Sequence, residues 1–306
     1  MGSTLTLPGR HVWLLGATLI LPAIGCSSSP GQGAVVPDGG AGAAGTAGAG
    51  GGSGGAGGRA GGGVSGAAGG SAGAGGANSA GGQAGSQTCT NPPHVLPLNP
   101  SNPQDGITLG AFYVDTDTWN AANYPVSQTM YVCDYDSWYV VASMDNATGD
   151  GAVKTYPDVH EDFSAAPAIG SFSVISSSFA HAGPHVGIYE FAYDIWLNGV
   201  ASNGSTEVMI WTDNFNQVPS GSVQETVTFD GQTYQVYKSG SYIAFVETTN
   251  VTSGTVNLLE FFNHIIAKGW IPSTSTLGAI DYGVELVSTG GMNATFAVNG
   301  FSLTAN

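Results

Sequence analysis

The chain has 306 residues, of which 5 are lysine or arginine and 21 are aspartate or glutamate, so the formal net charge is −16. Residues 89–306 contain all three lysines of the chain and no arginine. Binding to a nucleic-acid backbone requires a basic patch, so nucleic acid is excluded as a main partner. An anionic membrane surface is disfavoured for the same reason. Neutral polymers remain, and 6 Trp, 12 Tyr and 12 Phe side chains suit stacking on sugar rings.

The N-terminus carries the pattern of an export signal. Arg10 precedes the apolar run 12–21, which is too short to span a bilayer and has the length of a signal-peptide core. The run leads to Ala23-Ile24-Gly25-Cys26, which resembles the lipoprotein box of bacteria. We therefore expect residues 1–26 to be a lipoprotein-type signal with Cys26 lipidated. The alternative is an ordinary secretory signal, and in both cases the protein is exported, to the cell envelope or the medium.

Residues 27–88 form a low-complexity segment of Gly, Ala and Ser. Glycine alone takes 26 of the 58 positions from 31 to 88, and no apolar periodicity is present. Such a segment buries too little apolar surface to offset the entropy of ordering, so we expect a disordered linker. Random-coil scaling gives it a reach of about 40 Å. The linker precedes one folded domain, residues 89–306.

Two cysteines remain in the folded domain, Cys89 and Cys133. In an exported protein such a pair predicts a disulfide bond, which would connect the start of the domain to an early strand. Loop-entropy arguments give it a stabilisation of about 3–4 kcal/mol. The spacing matches no zinc motif, and we expect neither a metal nor a cofactor.

The folded domain is predicted to be all-β. Asp230-Gly231 between two β-rich runs predicts a tight hairpin, and Ser239-Gly240 predicts the next turn. Many short strands without alternating helices favour a curved antiparallel β-sandwich, or jelly roll, with one packed α-helix. The predicted strands are 130–133, 138–143, 171–179, 185–197, 207–211, 225–229, 233–238, 242–247, 280–287 and 294–304.

The predicted helix covers Asn257–Lys268. Asn257 and Glu260 have the spacing of a capping box, and Gly269 is a plausible stop. The apolar residues that recur at helical spacing are Leu258, Leu259, Phe262, Ile265 and Ile266.

Three carboxylates lie on predicted strand faces that carry functional residue types. Because side chains alternate along a strand, residues two apart share a face. The shared faces combine Glu207 with Met209 and Trp211, Asp194 with Trp196, and Glu285 with Gly283. Paired carboxylates beside aromatic rings suit retaining glycoside hydrolysis, in which the two groups lie about 5–5.5 Å apart.

The same segments resemble a known family. Glu207-Val208-Met209-Ile210-Trp211 is similar to the E-[IVL]-M-[IV]-W strand of glycoside hydrolase family 12, retaining endo-β-1,4-glucanases with a curved jelly-roll fold. Further similar segments follow the family's order: Trp119-Asn120, Val153-Lys154-Thr155-Tyr156-Pro157, Ala192-Tyr193-Asp194-Ile195-Trp196, Pro219-Ser220-Gly221 and Gly283-Val284-Glu285.

The resemblance implies a role for each residue. Glu207 would be the nucleophile and Glu285 the acid/base, with Asp194 supporting the nucleophile. A nucleophile must be ionised and a general acid protonated, so we expect a low pKa for Glu207 and a raised pKa for Glu285. Trp119 would be a platform on which a sugar ring stacks. The remaining expected substrate-binding residues are Asn120, Met209, Trp211 and Pro219.

The other polar patterns are interpreted as structural. The alternating pairs Asp115/Asp117 and Asp134/Asp136 are expected on solvated strand faces, with a contribution to calcium binding as the alternative. The two histidines of His181-Ala182-Gly183-Pro184-His185 are expected on a surface loop. The expected partner is a β-glucan, cellulose-like, mixed-linkage or xyloglucan, and the expected state is a monomer with membrane contact only through the N-terminal lipid. The alternative function is a non-catalytic glycan-binding or adhesion module. Retention of both Glu207 and Glu285 favours the enzyme.

Overall fold

The computed structural model describes residues 88–306. The expected signal, Cys26 and residues 27–87 of the expected linker lie outside the described residues. Within residues 88–306, no helix is both long and apolar enough to cross a bilayer.

Two β-sheets and one α-helix make up the domain, which confirms the predicted fold class. The helix, α1, is Leu258–Ala267, and two short 3₁₀ helices are Ala121–Asn123 and Ile169–Ser171. The strands are β1 His94–Pro97, β2 Gly106–Leu109, β3 Phe112–Asp115, β4 Ser127–Asp134, β5 Ser137–Ser143, β6 Asp158–Asp162, β7 Ile175–Ala182, β8 Ile188–Leu197, β9 Thr206–Phe215, β10 Ser222–Phe229, β11 Gln232–Ser239, β12 Tyr242–Glu247, β13 Ser253–Val256, β14 Leu277–Ser288 and β15 Ala294–Ala305.

The sheets have six and nine strands. The six-stranded sheet has the order β1-β4-β5-β15-β7-β13, and the nine-stranded sheet has the order β10-β11-β12-β9-β8-β14-β6-β3-β2. Among the named strands of residues 88–306, β9 and β12 form a parallel pair and all others are antiparallel. The parallel pair arises because the chain crosses from β9 to the far side of the β10–β12 meander, whose last strand then lies beside β9.

Five strands were not predicted: β1, β2, β3, β6 and β13. Each has only 4 or 5 residues. The sequence of β6, Asp-Val-His-Glu-Asp, contains residue types that are depleted in strands. Tertiary pairing with β3 and β14 stabilises it as a strand, and this pairing is invisible in the local sequence.

The main core lies between the two sheets. It is built from inward-facing strand residues such as Trp138, Val208, Ile210, Tyr282 and Phe296, each fully buried or nearly so. Apolar side chains alternate with outward-facing ones along each strand, so the opposite face of the nine-stranded sheet is free to carry polar groups.

The predicted turn at Asp230-Gly231 is confirmed. Asp230 has φ 48° and Gly231 has φ 82°. Positive φ at both central residues is the geometry that matches the right-handed twist of a two-residue hairpin. This hairpin sets the register of β10 and β11, in which Phe229 lies opposite Gln232.

The helix lies where the apolar spacing predicts it, with two differences. Phe261 is buried together with Leu258, whereas Leu259 is only partly buried. The Asn257 side chain makes no capping hydrogen bond, so the capping-box prediction is wrong. The predicted stop is confirmed: Gly269 has φ 68°, and the backbone N–H of Trp270 donates to the Ile265 carbonyl at 3.0 Å.

The predicted disulfide is confirmed. Cys89 and Cys133 are bonded, with their Cα atoms 5.5 Å apart and a sequence separation of 44. Cys133 lies on β4, which pairs with the edge strand β1. The disulfide therefore connects the start of the folded domain to β4, the strand next to the edge of the six-stranded sheet.

Candidate active site

The outer face of the nine-stranded sheet collects the predicted carboxylates. Val208 and Ile210 of β9 and Tyr193 and Ile195 of β8 point into the main core. The intervening residues, Glu207 and Asp194 among them, therefore point to the opposite face. Glu285 of β14 alternates with the core residues Val284 and Leu286 in the same way. All three predicted catalytic carboxylates share one face of one sheet.

The sheet register places Glu207 and Glu285 on opposite sides of β8. Glu207 lies opposite Trp196, and Glu285 lies opposite Glu190. Despite this offset along β8, the charge of Glu285 raises the pKa of Glu207. The charges of Glu207 and Glu285 also raise the pKa of Asp194. The three carboxyl groups are thus within electrostatic reach of one another, whereas the 5–5.5 Å spacing stays a prediction.

The expected low pKa of Glu207 is wrong. Burial of its carboxyl group, followed by the charge of Glu285, raises the pKa of Glu207 from 4.5 to about 8. Burial also raises the pKa of Glu285, as expected, with a hydrogen bond from Glu190 acting against the shift. Both residues are partly buried. Burial and the repulsion between the two groups disfavour the state in which both carboxyl groups are ionised.

The interaction predicts a measurable change in titration. Glu285→Gln removes a neighbouring negative charge, so the pKa of Glu207 should fall clearly below its wild-type value of about 8. We expect a carboxyl ¹³C NMR titration of Glu207 to show this downward shift. Glu260→Gln, which changes a carboxyl on α1, is the matched control and should leave the titration unchanged. An identical Glu207 titration in Glu285→Gln would contradict the coupling.

Asp194 is buried beside the glutamate pair. Its residue is 8% exposed, and its Oδ1 atom has no hydrogen-bond partner within residues 88–306. Burial is the largest cause of its raised pKa. A protonated Asp194 would be a hydrogen-bond donor, which is the state in which it could support an ionised Glu207. Its supporting role stays a prediction.

Trp119 and Asn120 lie in the loop after β3. The Trp119 residue is 57% exposed, as a sugar-stacking platform requires. The Asn120 side-chain amide donates to the Val153 carbonyl at 2.6 Å. This bond anchors the loop to the segment before Tyr156, whose backbone N–H donates to the Asp117 carbonyl at 2.8 Å. Asn120 therefore supports the position of Trp119.

Met209 and Trp211 are almost fully buried, unlike the side chains of an open binding surface. They are 1% and 2% exposed, and together with Ala192 and Ala244 they form a small apolar cluster separate from the main core. The Trp211 indole N–H points to the Met209 sulfur at 3.4 Å. The cluster lies on the same sheet face as Glu207. Contact of these two residues with substrate, and contact of the half-buried Pro219, stay predictions.

Gly283 allows a neighbouring strand to approach closely. A Cβ atom there would lie 2.2 Å from the Pro157 carbonyl oxygen and 2.8 Å from the Cα of Asp158. The missing side chain admits the neighbouring strand β6, with which Gly283 is paired at Asp158. The glycine permits close packing of β14 against β6 beside Glu285.

Further buried acids on this face were missed by the sequence analysis. Asp115 is 1% exposed, so its interpretation as a solvated residue is wrong. It pairs across the strands with Asp158, which is 2% exposed, and the Nδ1 atom of His160 lies 2.7 Å from an Asp158 oxygen. Asp281 lies opposite both His160 and Asp194. The period-two spacing of Asp281 to Gly283 and Glu285 was the available sequence signal.

These neighbours strongly affect one another's protonation. Burial, then the charges of Asp281 and Asp117, raise the pKa of Asp158. Burial, then the charge of Asp158, raise the pKa of Asp115. The pKa of Asp117 is raised to about 7 by burial, with the charge of Glu285 adding to the shift. Asp115, Asp158 and His160 each offer one ligand atom within 4.8 Å of the others, so they could hold a metal ion.

His181 is not on a surface loop. It lies on β7 in the main core, 5% exposed, with its ring stacked on Phe191 at 4.0 Å between centroids. Its Nδ1 atom lies 2.7 Å from the Tyr282 hydroxyl. Burial lowers the pKa of His181, which favours the neutral ring. His185, in contrast, is exposed as expected.

The chain is similar to several known glycoside hydrolases. A xyloglucan-specific endo-β-1,4-glucanase from Emericella nidulans is 24% identical over 217 residues, covering 66% of this chain and 89% of that protein. An inactive glycoside hydrolase from Phytophthora nicotianae is 27% identical over 138 residues, covering 42% of this chain and 56% of that protein. The structure of an endoglucanase from Rhodothermus marinus matches with a TM-score of 0.59 at 25% identity, covering 70% of this chain and 99% of that one.

The extent of the match differs between relatives. The chain spans about half the length of several curated relatives that it matches, 50% and 56% in two of them. The family model described as glycosyl hydrolase family 12, in contrast, matches residues 110–306. This range covers both sheets except β1 and β2, and it includes Trp119, Asp194, Glu207 and Glu285. The chain belongs to glycosyl hydrolase family 12.

Proposed function

We propose that the protein is a retaining, endo-acting glycoside hydrolase that cleaves β-1,4-glucosidic bonds in cellulose-like glucan, mixed-linkage β-glucan or xyloglucan. The observation that carries the proposal is the electrostatic coupling of Asp194, Glu207 and Glu285 on one face of the nine-stranded sheet. Family membership supports it, as do the glucanase and xyloglucanase names of several relatives.

Glu207 would act first as the nucleophile. Its ionised oxygen attacks the anomeric carbon while the glycosidic C–O bond breaks, and Glu285 gives its proton to the departing sugar oxygen. A glucosyl–Glu207 ester results. A pair that holds one proton in total is in the correct state for this step when the proton lies on Glu285.

Glu285 would then act as a base. Its carboxylate takes a proton from water, the water oxygen attacks the anomeric carbon, and the bond to Glu207 breaks. Two inversions give a product with retained configuration. After this step Glu285 is protonated and Glu207 is ionised again.

The second candidate is a non-catalytic glycan-binding module. It has specific support, because one relative is named as an inactive glycoside hydrolase. Such a module needs the exposed Trp119 but neither glutamate. The presence of both glutamates, each partly buried and each affecting the same neighbour Asp194, favours catalysis.

One experiment separates the two functions. The purified protein is incubated with carboxymethyl cellulose, mixed-linkage β-glucan, xyloglucan and xylan, and new reducing ends are measured. We expect reducing ends from at least one β-1,4-glucan together with a rapid loss of viscosity, since an endo-acting enzyme cuts within chains. Retardation in affinity gels containing the same polymers, without new reducing ends, would instead establish the binding module.

Trp119 offers a test of substrate binding. Stacking of the indole on a sugar ring buries apolar surface, so Trp119→Ala should raise KM for longer oligosaccharides about 10-fold, or about 1.4 kcal/mol. Cleavage of a short activated aryl glycoside should change much less. Val95→Ala is the matched control, since Val95 is 53% exposed on the other sheet. An equal loss on both substrates would show that Trp119 supports the fold.

We further propose that the protein is exported and attached to the cell envelope through lipidated Cys26, with residues 27–88 as a tether. The support is the signal-like run at 12–21 and the lipobox-like Ala23–Cys26. A lipid attached at this position would hold the folded domain close to the membrane.

The tether proposal predicts a change of compartment. In a bacterial host, the wild-type protein should fractionate with membranes, whereas Cys26→Ser should be released or accumulate as an unprocessed precursor. Cys89→Ser, which changes a cysteine of the folded domain, is the control and should still fractionate with membranes. Equal solubility of processed wild type and Cys26→Ser would contradict lipidation.

A further inference from the structure

A second group of polar side chains lies on the same sheet face, away from Glu207. Asp115 at the end of β3 is the direct cross-strand partner of Asp158 at the start of β6, and His160 follows two residues later on the same face. The three residues are 1%, 2% and 8% exposed. One potential ligand atom from each lies within 4.8 Å of the others. These distances are short enough for the three residues to share one metal ion.

Two atoms of this group are unsatisfied. Asp115 Oδ1 and His160 Nε2 are buried and have no hydrogen-bond partner within residues 88–306. Burying a carboxylate oxygen or an imidazole nitrogen without a partner is costly, so such atoms in a native fold require an explanation. His160 Nδ1 already interacts with an Asp158 oxygen at 2.7 Å. This ring nitrogen and the Asp158 oxygen are close enough to bind one metal ion together.

None of the three lysines within residues 88–306 pairs with this group. Lys154 donates to the Val287 and Ala152 carbonyls, and Lys268 pairs with Glu225 on β10. Lys238, the third lysine of the described region, donates to the Gly240 carbonyl. A bound divalent cation would offset the negative charge that the acids concentrate here.

We propose that Asp115, Asp158 and His160 bind one divalent transition-metal ion of the zinc or manganese type. Two carboxylate oxygens with one imidazole nitrogen form a mixed set that suits Zn²⁺ or Mn²⁺. Calcium prefers six to eight oxygen ligands, so it should bind more weakly. Asp281, paired with His160 on the adjacent strand β14 and carrying a partnerless Oδ1 atom, is placed to support the coordination. This proposal does not rest on the proposed glucanase activity.

The bound ion would act as a crosslink between two strands. It would connect β3 to β6 at the point where the chain leaves β3 for the loop that carries Trp119. An ion that binds the folded state alone stabilises it by mass action. At a metal concentration of about 100 times Kd, the midpoint of thermal unfolding should rise by roughly 5–10 °C.

The test measures metal binding directly and without substrate. The purified protein is treated with chelator and dialysed, and ZnCl₂ is then added during calorimetric titration. We expect one Zn²⁺ per chain, a higher unfolding midpoint, and weaker binding of CaCl₂. Asp115→Asn and His160→Gln should each weaken Zn²⁺ binding at least 10-fold. Asp162→Asn removes a negative charge from the same strand and should change the affinity far less.

A crystal soaked in ZnCl₂ keeps the proposal testable if a variant fails to fold. An anomalous peak at the zinc edge between Asp115, Asp158 and His160 is the expected result. Absence of Zn²⁺ and Mn²⁺ binding by the dialysed wild-type protein would overturn the proposal, as would a peak at other residues only. Reducing ends released from glucan by a protein that binds no metal would overturn this proposal and leave the proposed function standing.

Discussion

Glu207→Ala should lower kcat on every glucan substrate by a factor on the order of 10⁴ to 10⁶, because no covalent intermediate can form without the nucleophile. The cavity left by the side chain can admit a small anion. Added azide should therefore restore cleavage of an activated aryl glycoside, and the glycosyl azide should have the inverted configuration, since a single displacement inverts the anomeric carbon. Product analysis by proton NMR determines the configuration.

A control variant and an unfolding measurement separate lost catalysis from lost structure in Glu207→Ala. Glu260→Ala removes a carboxyl group from α1, whose apolar face packs into the main core, and should keep near wild-type activity. An unchanged unfolding midpoint of Glu207→Ala would show that lost activity does not reflect lost structure. Wild-type product with inverted configuration would contradict the whole two-step mechanism, including the assignment of Glu207.

Glu285→Ala should give a substrate-dependent loss. On glucans the departing sugar oxygen needs a proton, so kcat should fall by about 10²–10⁴-fold, the usual contribution of a general acid. On a dinitrophenyl glycoside the leaving group needs no proton, so the glycosyl–Glu207 intermediate should still form and then accumulate. A burst of released dinitrophenol in stopped-flow measurements should reveal it.

Azide distinguishes Glu285 from Glu207. In Glu285→Ala, azide should attack the glycosyl–Glu207 intermediate without needing a base, which gives a glycosyl azide of retained configuration. Opposite configurations from the two variants would assign the two roles independently. The same azide product from both variants, or equal losses of Glu285→Ala on glucan and on the activated substrate, would contradict the assignment of Glu285.

Much of the sheet architecture was predictable because it depends on local patterns. The alternation along Glu207–Trp211 correctly separated Val208 and Ile210, which enter the core, from Glu207. Asp230-Gly231 predicted its hairpin because positive φ at both positions is a local property. Strand β6 was missed because its polar sequence opposes a strand, and its formation depends on pairing with distant β3 and β14.

The candidate site was predictable in part for the same reason. Local alternation placed Asp194 and Glu285 on functional faces, but it contained no information about distances between strands. The pKa of Glu207 could not be predicted, because it depends on burial and on Glu285, 78 residues away in sequence. Asp115 was misinterpreted because its burial results from pairing with Asp158, and nothing local to Asp115 indicates that partner.

The disulfide also determines how the domain responds to mechanical load. Any pull on the chain before Cys89 enters the fold beside β1, an edge strand that pairs with β4 alone among the strands of residues 88–306. Without the disulfide, such a force would peel β1 away one hydrogen bond at a time. With Cys89 bonded to Cys133, the load passes to β4, which has a neighbouring strand on each side. The disulfide thus moves the position at which the force acts from the edge strand β1 to the interior strand β4. Strand β4 separates from its neighbours only when several hydrogen bonds break together.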